Sequence, residues 1–334
     1  MSSESSGLVK AGEQSGLPSR GSGEAYVTIF DFGFIPQGLA LHDSLLEHAG
    51  DFTLWVVAMD EPTTVFLNSL GLPSLRVLSL DEVETADLVE VKSTRSRREY
   101  CWTLTPFVFD FVFERAPEVG RVTYVDADVF LRTDPGFFFR SLEASGKSVQ
   151  ITEHAFSADI DSSAEHGKFC VQFLTMNRDG SEAVRSDWQG KCLEWCFGRV
   201  EEGKFGDQKY LDEWPRDFSE SVHIFGDRGR FLGPWNASRF PFSESAVYHF
   251  HQLRLDFQGT EVSFGNYTLP SPLVKNVYSP YIALLREKAK MMVSLGVEPS
   301  SQISVKTKRQ KLASGISPVT DPIYARLRAL TARH

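Results

Sequence analysis

Apolar runs of buried-strand length, separated by stretches whose apolar residues recur at helical spacing, constrain this chain more than any other feature. Residues 26–32 and 52–59 are such runs, and 75–80 reads as a third. Between the first two, Pro36 can open a helix that turns Leu39, Leu41 and Leu45 inward, because its fixed φ suits a first helical turn. The result is a β-α-β unit. Thr105-Pro106 then reads as an N-cap and first-turn pair, with Phe107, Val108, Phe111 and Val112 at helical spacing until Pro117 ends the element. Residues 121–125 follow as the next strand. This alternation predicts an α/β fold, a mixed, mainly parallel sheet flanked by helices.

At the end of that fourth run stand two aspartates one residue apart, Asp126 and Asp128. If the strand continues through them, its period of two puts both carboxylates on one side. They would lie at the carboxyl edge of the sheet, where open α/β folds bind ligands. Like charges so placed repel, and each seeks a solvating partner or a hard divalent cation. The expectation is a metal-diphosphate site, set against the ordinary use of acidic pairs to cap helices or solvate turns. Two further groups carry possible chemistry. Asp207 and Gln208 follow Gly206 at what reads as a helix start, where an acid is often only a cap. His249 and His251 follow a short apolar run and would share a strand face, as ligands or as hydrogen-bonded structural residues.

A chain of 334 residues with 42% hydrophobic residues can bury one large core or two small ones, as a soluble protein. Its net charge of -9 argues against nucleic-acid binding, which needs a basic surface. Cys101, Cys170, Cys192 and Cys196 match neither a disulfide framework nor a zinc ribbon, and are expected as reduced thiols without a role. Residues 1–24 are rich in Ser, Gly, Glu and Lys with no apolar stretch, and read as a disordered leader. Residues 25–295 form the expected domain, and 296–334 a flexible basic tail. Within 300–334, seven Lys/Arg face Asp321 as the one acid, so the tail is solvated and able to attract anionic lipid head groups. No segment approaches a membrane span. The expected location is the cytoplasm, with the inner face of the membrane within reach of the tail.

TYVDADVFLRTDP, FCVQFLTMNRD, FGDQKYLDEWP and VYHFHQ, in that order, resemble the ordered motifs of GT-A-fold glycosyltransferases. The chain is most similar to glycosyltransferase family 8 and to related bacterial enzymes of surface-polysaccharide biosynthesis, over roughly residues 25–255. The resemblance implies that Asp126 and Asp128 hold Mn2+ or Mg2+ against the diphosphate of a nucleotide-sugar donor, with His249 completing the metal shell. It implies that Asp207 binds donor-sugar hydroxyls and that Gln208 lies by the anomeric carbon. Asp31, Phe32 and Phe34 would lie near the nucleotide base. Three departures stand out. Where the family has Asn-Ala-Gly this chain has Cys170-Val171-Gln172. Where it has a helix arginine this chain has Thr105-Pro106-Phe107, with Arg97 and Arg98 upstream as candidate replacements. The usual lysine beyond the histidine motif is missing, and Arg254 stands nearest.

The function so implied is metal-dependent transfer of a hexose, from a UDP-sugar and with retention of configuration, to a glycan or lipid-linked acceptor. Glu153, His154, Trp235 and Asn236 are the candidate acceptor contacts, each with a structural role as its alternative. Two other classes compete. A haloacid-dehalogenase-like phosphatase would use Asp126 as nucleophile and Asp128 as general acid, but its acidic pair normally lies on the first strand. A non-catalytic sugar-binding protein on the same fold is the other.

Overall fold

The structure is a computed structural model that describes residues 23–303. The expected leader, apart from Gly23 and Glu24, and the tail from residue 304 onward lie outside the described residues. Strands β1 (Glu24–Phe30), β2 (Phe52–Ala58), β3 (Leu75–Ser79) and β4 (Arg121–Val125) lie parallel, in the order β3-β2-β1-β4. The short β5 (Val129–Leu131) follows β4. β6 (Val149–Glu153), β7 (Phe169–Asn177) and β8 (Val222–Ile224) complete the seven-stranded sheet in the order β4-β7-β6-β8. β7 runs antiparallel to both its neighbours and β8 parallel to β6, so β4, β6 and β8 point the same way. The sheet is therefore mixed and mainly parallel, as expected. β9 (Phe231–Leu232) and β10 (Val247–His249) pair with β5 in a small second sheet, order β5-β10-β9.

Alternate residues of β1 enter opposite cores, which is why its sequence from Ala25 to Phe30 is apolar apart from the buried Thr28. Val27 and Ile29 join Val108, Phe109 and Trp188 on one side, while Tyr26 and Phe30 join Leu41, Leu45 and Phe138 on the other. Helix α1 (Ile35–His48) carries Pro36 in its first turn and buries Leu39, Leu41 and Leu45. Under the carboxyl edge, Phe138 packs its ring 5.2 Å from Phe173 of β7 and 5.0 Å from Phe231 of β9. Such edge-on and tilted aromatic pairs bury large areas and fix the small sheet against the large one.

The reading of Thr105 as an N-cap is corrected. A helix already spans Arg97–Leu104, a 3-10 turn spans Thr105–Phe107, and a second helix runs over Val108–Arg115. Thr105 has helical dihedrals and donates its hydroxyl to the Cys101 carbonyl at 3.1 Å, one turn back. Proline lacks only the amide hydrogen that a new turn leaves free anyway, so the chain passes through Pro106 without stopping.

The last described helix, Ser279–Ser294, packs against α1, and the chain then returns toward the sheet edge. There Gln302 pairs its amide with the Leu255 carbonyl at 3.0 Å. Its side chain donates to the Gly33 carbonyl at 2.8 Å and accepts from Leu255 N at 3.2 Å and Gln37 Nε2 at 3.1 Å. Among the described residues no helix is long and apolar enough to cross a membrane.

Candidate active site

The two aspartates do meet, but not by strand alternation. β4 ends at Val125, and the Asp126 amide makes one more ladder bond to the Gln172 carbonyl of β7 at 3.1 Å. The chain then turns through Ala127 and Asp128, closed by a 3.0 Å bond from Val129 N to the Asp126 carbonyl. Beyond the turn β5 pairs antiparallel with β10, placing Val129 opposite His249, and Phe250 N donates to the Asp128 carbonyl at 2.8 Å. The period-two expectation is thus replaced by a turn that aims both carboxylates at a histidine from a distant strand.

His249 Nε2 lies 3.0 Å from Asp128 Oδ1 and 3.7 Å from Asp126 Oδ2. The three ligating atoms all lie within 4.8 Å of one another. Burial opposes the charge on Asp128, yet the facing His249 outweighs it and holds this carboxyl well below the usual range. Burial likewise opposes a cationic His249, but Asp128 and its hydrogen bond push the imidazole well above its ordinary value. Asp126 goes the other way: burial and the neighbouring Asp128 charge raise it against the pull of His249 and Tyr124. Two carboxylates and a histidine so compressed share positive charge between them, and a divalent cation can supply it in place of the proton.

Residues outside the triad orient it. The Tyr124 hydroxyl donates to Asp126 Oδ1 at 2.7 Å. Gln172 Oε1 lies 3.1 Å from His249 Nδ1, so a proton there leaves Nε2 facing the carboxylates, the tautomer a metal ligand needs. The donor set, two carboxylate oxygens and an imidazole nitrogen with its second nitrogen held, fits a hard-to-borderline cation such as Mn2+ or Mg2+. Neither supporting residue was among the expected site residues. Tyr124 was findable, since it stands two positions before Asp126 on one strand face. Gln172 entered only as a departure from the family motif, and the structure gives it this orienting contact.

Asp207 is 3% exposed, and its side chain makes no cap bond to the short 3-10 turn Gln208–Asp212 that it precedes. Its Oδ2 has no hydrogen-bond partner, and its backbone carbonyl accepts from Trp188 Nε1 at 2.9 Å. Burial, then the nearby charge of Asp126, pushes its carboxyl up to about 7. The approach to Asp207 needs a glycine: Gly206 has φ +52°, and a Cβ there would stand 3.3 Å from the Trp102 ring. Gln208 sits half-buried beside it, its Nε2 donating to the His166 carbonyl at 2.9 Å.

On the other side, Asp31 caps the turn after β1 by accepting from Gly33 N at 3.0 Å. Arg97 bridges Asp31 at 3.4 Å and Asp60 at 2.7 Å, and Asp60 in turn accepts from Phe32 N at 3.3 Å. Arg97 thus braces the expected nucleotide loop. Arg98 instead lays its guanidinium over Trp102, 5.0 Å from the ring centre. Arg254 stacks 4.9 Å over Phe34, and its charge helps to hold Asp128 ionised. Of the two histidines His249 faces the carboxylates, while His251 Nδ1 meets the Tyr267 hydroxyl at 2.9 Å.

The expected acceptor residues divide. Trp235 Nε1 and Asn236 Nδ2 both reach the His154 carbonyl at 2.9 Å, and all three residues are buried. The Trp235 ring stands 5.3 Å from that of His154 and 5.2 Å from that of His249. These residues form a wall behind the triad. Glu153 lines an open cleft.

No protein-family model matches the chain. It is 31% identical over 226 residues to the Bacillus subtilis protein described as "Uncharacterized protein YfnF", covering 66% of this chain and 74% of that one. It is 28% identical over 263 residues to YfnD of the same organism, covering 73% and 82%. Among solved structures, that of the WbbM bifunctional glycosyltransferase in its apo form superposes with a TM-score of 0.51 at 14% identity, over 85% of this chain and 53% of that one. At that identity the likeness speaks for the fold, which is GT-A.

Proposed function

The chain belongs to the same family as YfnF of Bacillus subtilis, and we propose that it is a metal-dependent glycosyltransferase. In this reading it moves a hexose from a UDP-sugar, with retention, to a glycan or lipid-linked acceptor in polysaccharide biosynthesis. One observation carries the reading: Asp126, Asp128 and His249 converge at the carboxyl edge of β4, with the buried Asp207 close enough to feel the charge of Asp126. That edge is where a sheet of this type receives its ligand, and the solved glycosyltransferase noted above shares the fold.

Breaking the anomeric C–O bond develops negative charge on the departing nucleoside diphosphate. Asp126, Asp128 and His249 would hold Mn2+ or Mg2+, which offsets that charge without proton transfer. Tyr124 and Gln172 keep the first-rank side chains oriented, and Arg254 adds positive charge on the same side. The unpartnered Oδ2 of Asp207 offers a buried acceptor for a donor-sugar hydroxyl, an interaction made stronger by exclusion of water. An inverting enzyme needs its base opposite the leaving group. In this reading Asp207 binds the sugar rather than acting as that base, and configuration is retained with Gln208 beside the reacting carbon. Arg97, with Asp31 and Phe32, frames the nucleotide. Attraction of the basic tail to anionic lipid would bring a lipid-linked acceptor near.

The test is a panel of UDP-, GDP-, CMP- and dTDP-sugars with purified protein, with and without Mn2+, scored by thermal stabilisation and slow donor hydrolysis. The expected result is metal-dependent stabilisation by a UDP-sugar that disappears in Asp126→Asn. Silence toward every donor, with phosphate released from simple monoesters, would overturn the proposal in favour of a phosphatase. Donor binding without turnover on any acceptor would favour a sugar-binding protein.

A further inference from the structure

Three strands along the same sheet edge lies a cleft of about 550 Å3 that the donor site does not use. β6 and β8 run parallel with β4, so Glu153 and Ile224, their last residues, share the edge from which Asp126 emerges. Glu153 and the loop through Gly226 and Arg228 form one side, and Arg239, Phe240 and Glu244 the other. Two interstrand spacings separate β4 from β6, about 10 Å. Between cleft and triad stands the wall of His154 and Trp235.

That wall is fixed from both sides. Arg239 donates to the carbonyl of Phe156 at 3.0 Å and that of Ala155 at 3.3 Å. Ser157 N donates to the Trp235 carbonyl at 2.9 Å, and the hydroxyls of Ser157 and Ser238 meet at 2.7 Å. The cleft is therefore a preformed depression with a rigid back.

Resting on the transferase reading, we infer that this cleft receives a neutral sugar residue of the acceptor glycan, one or more residues removed from the one that reacts. Three of its five charges are paired within the protein, and the other two, Arg239 and Glu244, are of opposite sign. Glu153 is held by Arg228 at 2.8 Å and Lys168 at 3.3 Å, and Asp227 by Arg230 at 3.2 Å. A lining so balanced gives an anionic ligand no net pull, yet it presents fixed guanidinium donors and carboxylate acceptors. Arginine carries five N–H donors, and the Arg228 and Arg239 contacts above leave some of them open. Both guanidinium side chains and Glu244 are exposed, while Phe240 is half-buried and gives the cleft an apolar wall. Alternating hydroxyls and C–H faces are what such a lining complements. The span to the triad is that of a short oligosaccharide along the sheet edge.

Gly226 gives a clean block. A Cβ there meets nothing within 4 Å and its φ is not positive, so Gly226→Phe fills the cleft without straining the backbone. The test is retention of the full-length chain, with Mn2+ and UDP, on an array of neutral and acidic oligosaccharides, beside UDP-sugar hydrolysis by the same samples. Neutral oligosaccharides should be retained. Retention should fall about tenfold or more in Gly226→Phe and in Phe240→Ala, while hydrolysis stays within about twofold. Retention of acidic glycans alone, of none, or equally by wild type and Gly226→Phe would overturn the inference. Retention through the cleft by a chain that hydrolyses no nucleotide sugar would uphold the cleft and overturn the transferase reading instead.

Discussion

Replacing Asp207 by Asn should make the protein more stable at pH 8 relative to wild type than it is at pH 4, while lowering its activity. The carboxyl of Asp207 titrates near 7 when folded, against about 3.9 in an unfolded chain. A folded value raised above the unfolded one means that the native state binds the proton more tightly. Stability from this group is therefore fully present below about pH 4 and is lost as pH rises through 7. About three pKa units at 1.36 kcal/mol each amount to about 4 kcal/mol. The amide of Asn has no such titration, so the difference in unfolding free energy between variant and wild type should climb by up to that amount between pH 4 and pH 8. Any fixed cost of placing an amide beside the unpartnered Oδ2 position cancels from this slope. Urea unfolding in EDTA at each pH measures it, with EDTA removing any cation that would stabilise the ionised form. A flat or falling difference would refute the assignment of Asp207 as a carboxylate strained by burial and by Asp126. Donor turnover in the same variant should fall, because the charge that burial makes costly is the one offered to the donor sugar.

Asp128→Ala should lower kcat/KM by at least ~100-fold, the scale of removing a comparable electrostatic stabiliser, with a near-native circular dichroism spectrum; near-normal turnover in a folded variant would contradict the metal site. Gln172→Leu removes the partner of His249 Nδ1, and Mn2+ affinity by titration calorimetry should weaken about 10–100-fold, the usual cost of losing an outer-shell partner. Trp235→Ala should cost about 3–5 kcal/mol in urea unfolding, as expected of a 3% exposed aromatic that braces a wall; a loss confined to acceptor KM would restore it to a substrate-binding role.

Which parts of this architecture were readable in the sequence follows from where each interaction is made. β1 and β2 were legible because most of their residues are buried on both faces and their polar positions are few, and β3 because Leu75, Val77 and Leu78 keep an apolar run around the exposed Arg76. α1 was legible from Pro36 and three leucines. Thr105-Pro106 misled because the same dipeptide suits a helix start and a 3-10 turn between two helices, and only the packing of Arg97–Leu104 decides. The acidic pair was readable as a site, but its geometry was not: the carboxylates converge because β5 pairs with β10, a contact between residues 120 positions apart that no local pattern encodes. Asp207 looked like a cap because a sequence shows the following turn and not the burial that leaves its Oδ2 unpartnered. Trp235 and Asn236 looked like ligand contacts for the same reason: their polar atoms are spent on the His154 carbonyl, across some eighty residues.

Gln302 has a consequence for how the molecule comes into being. The side chain that donates to Gly33, in the loop after β1, lies 269 residues later and is made after it. Domains fold as units while the chain emerges in order from its N-terminus. The turn of Asp31 and Phe32 therefore stays without this clasp until those 269 residues have been made. A chain ended at residue 295 would keep the strands that carry Asp126, Asp128 and His249, but would leave the Gly33 carbonyl and the Leu255 amide without that partner. Closing so long a loop costs little more entropy than closing a short one, because the cost grows only with the logarithm of length. The loop that holds Asp31 and Phe32 is thus completed after the strands of the sheet, by a residue that lies past the last described helix and belongs to no strand or helix of its own.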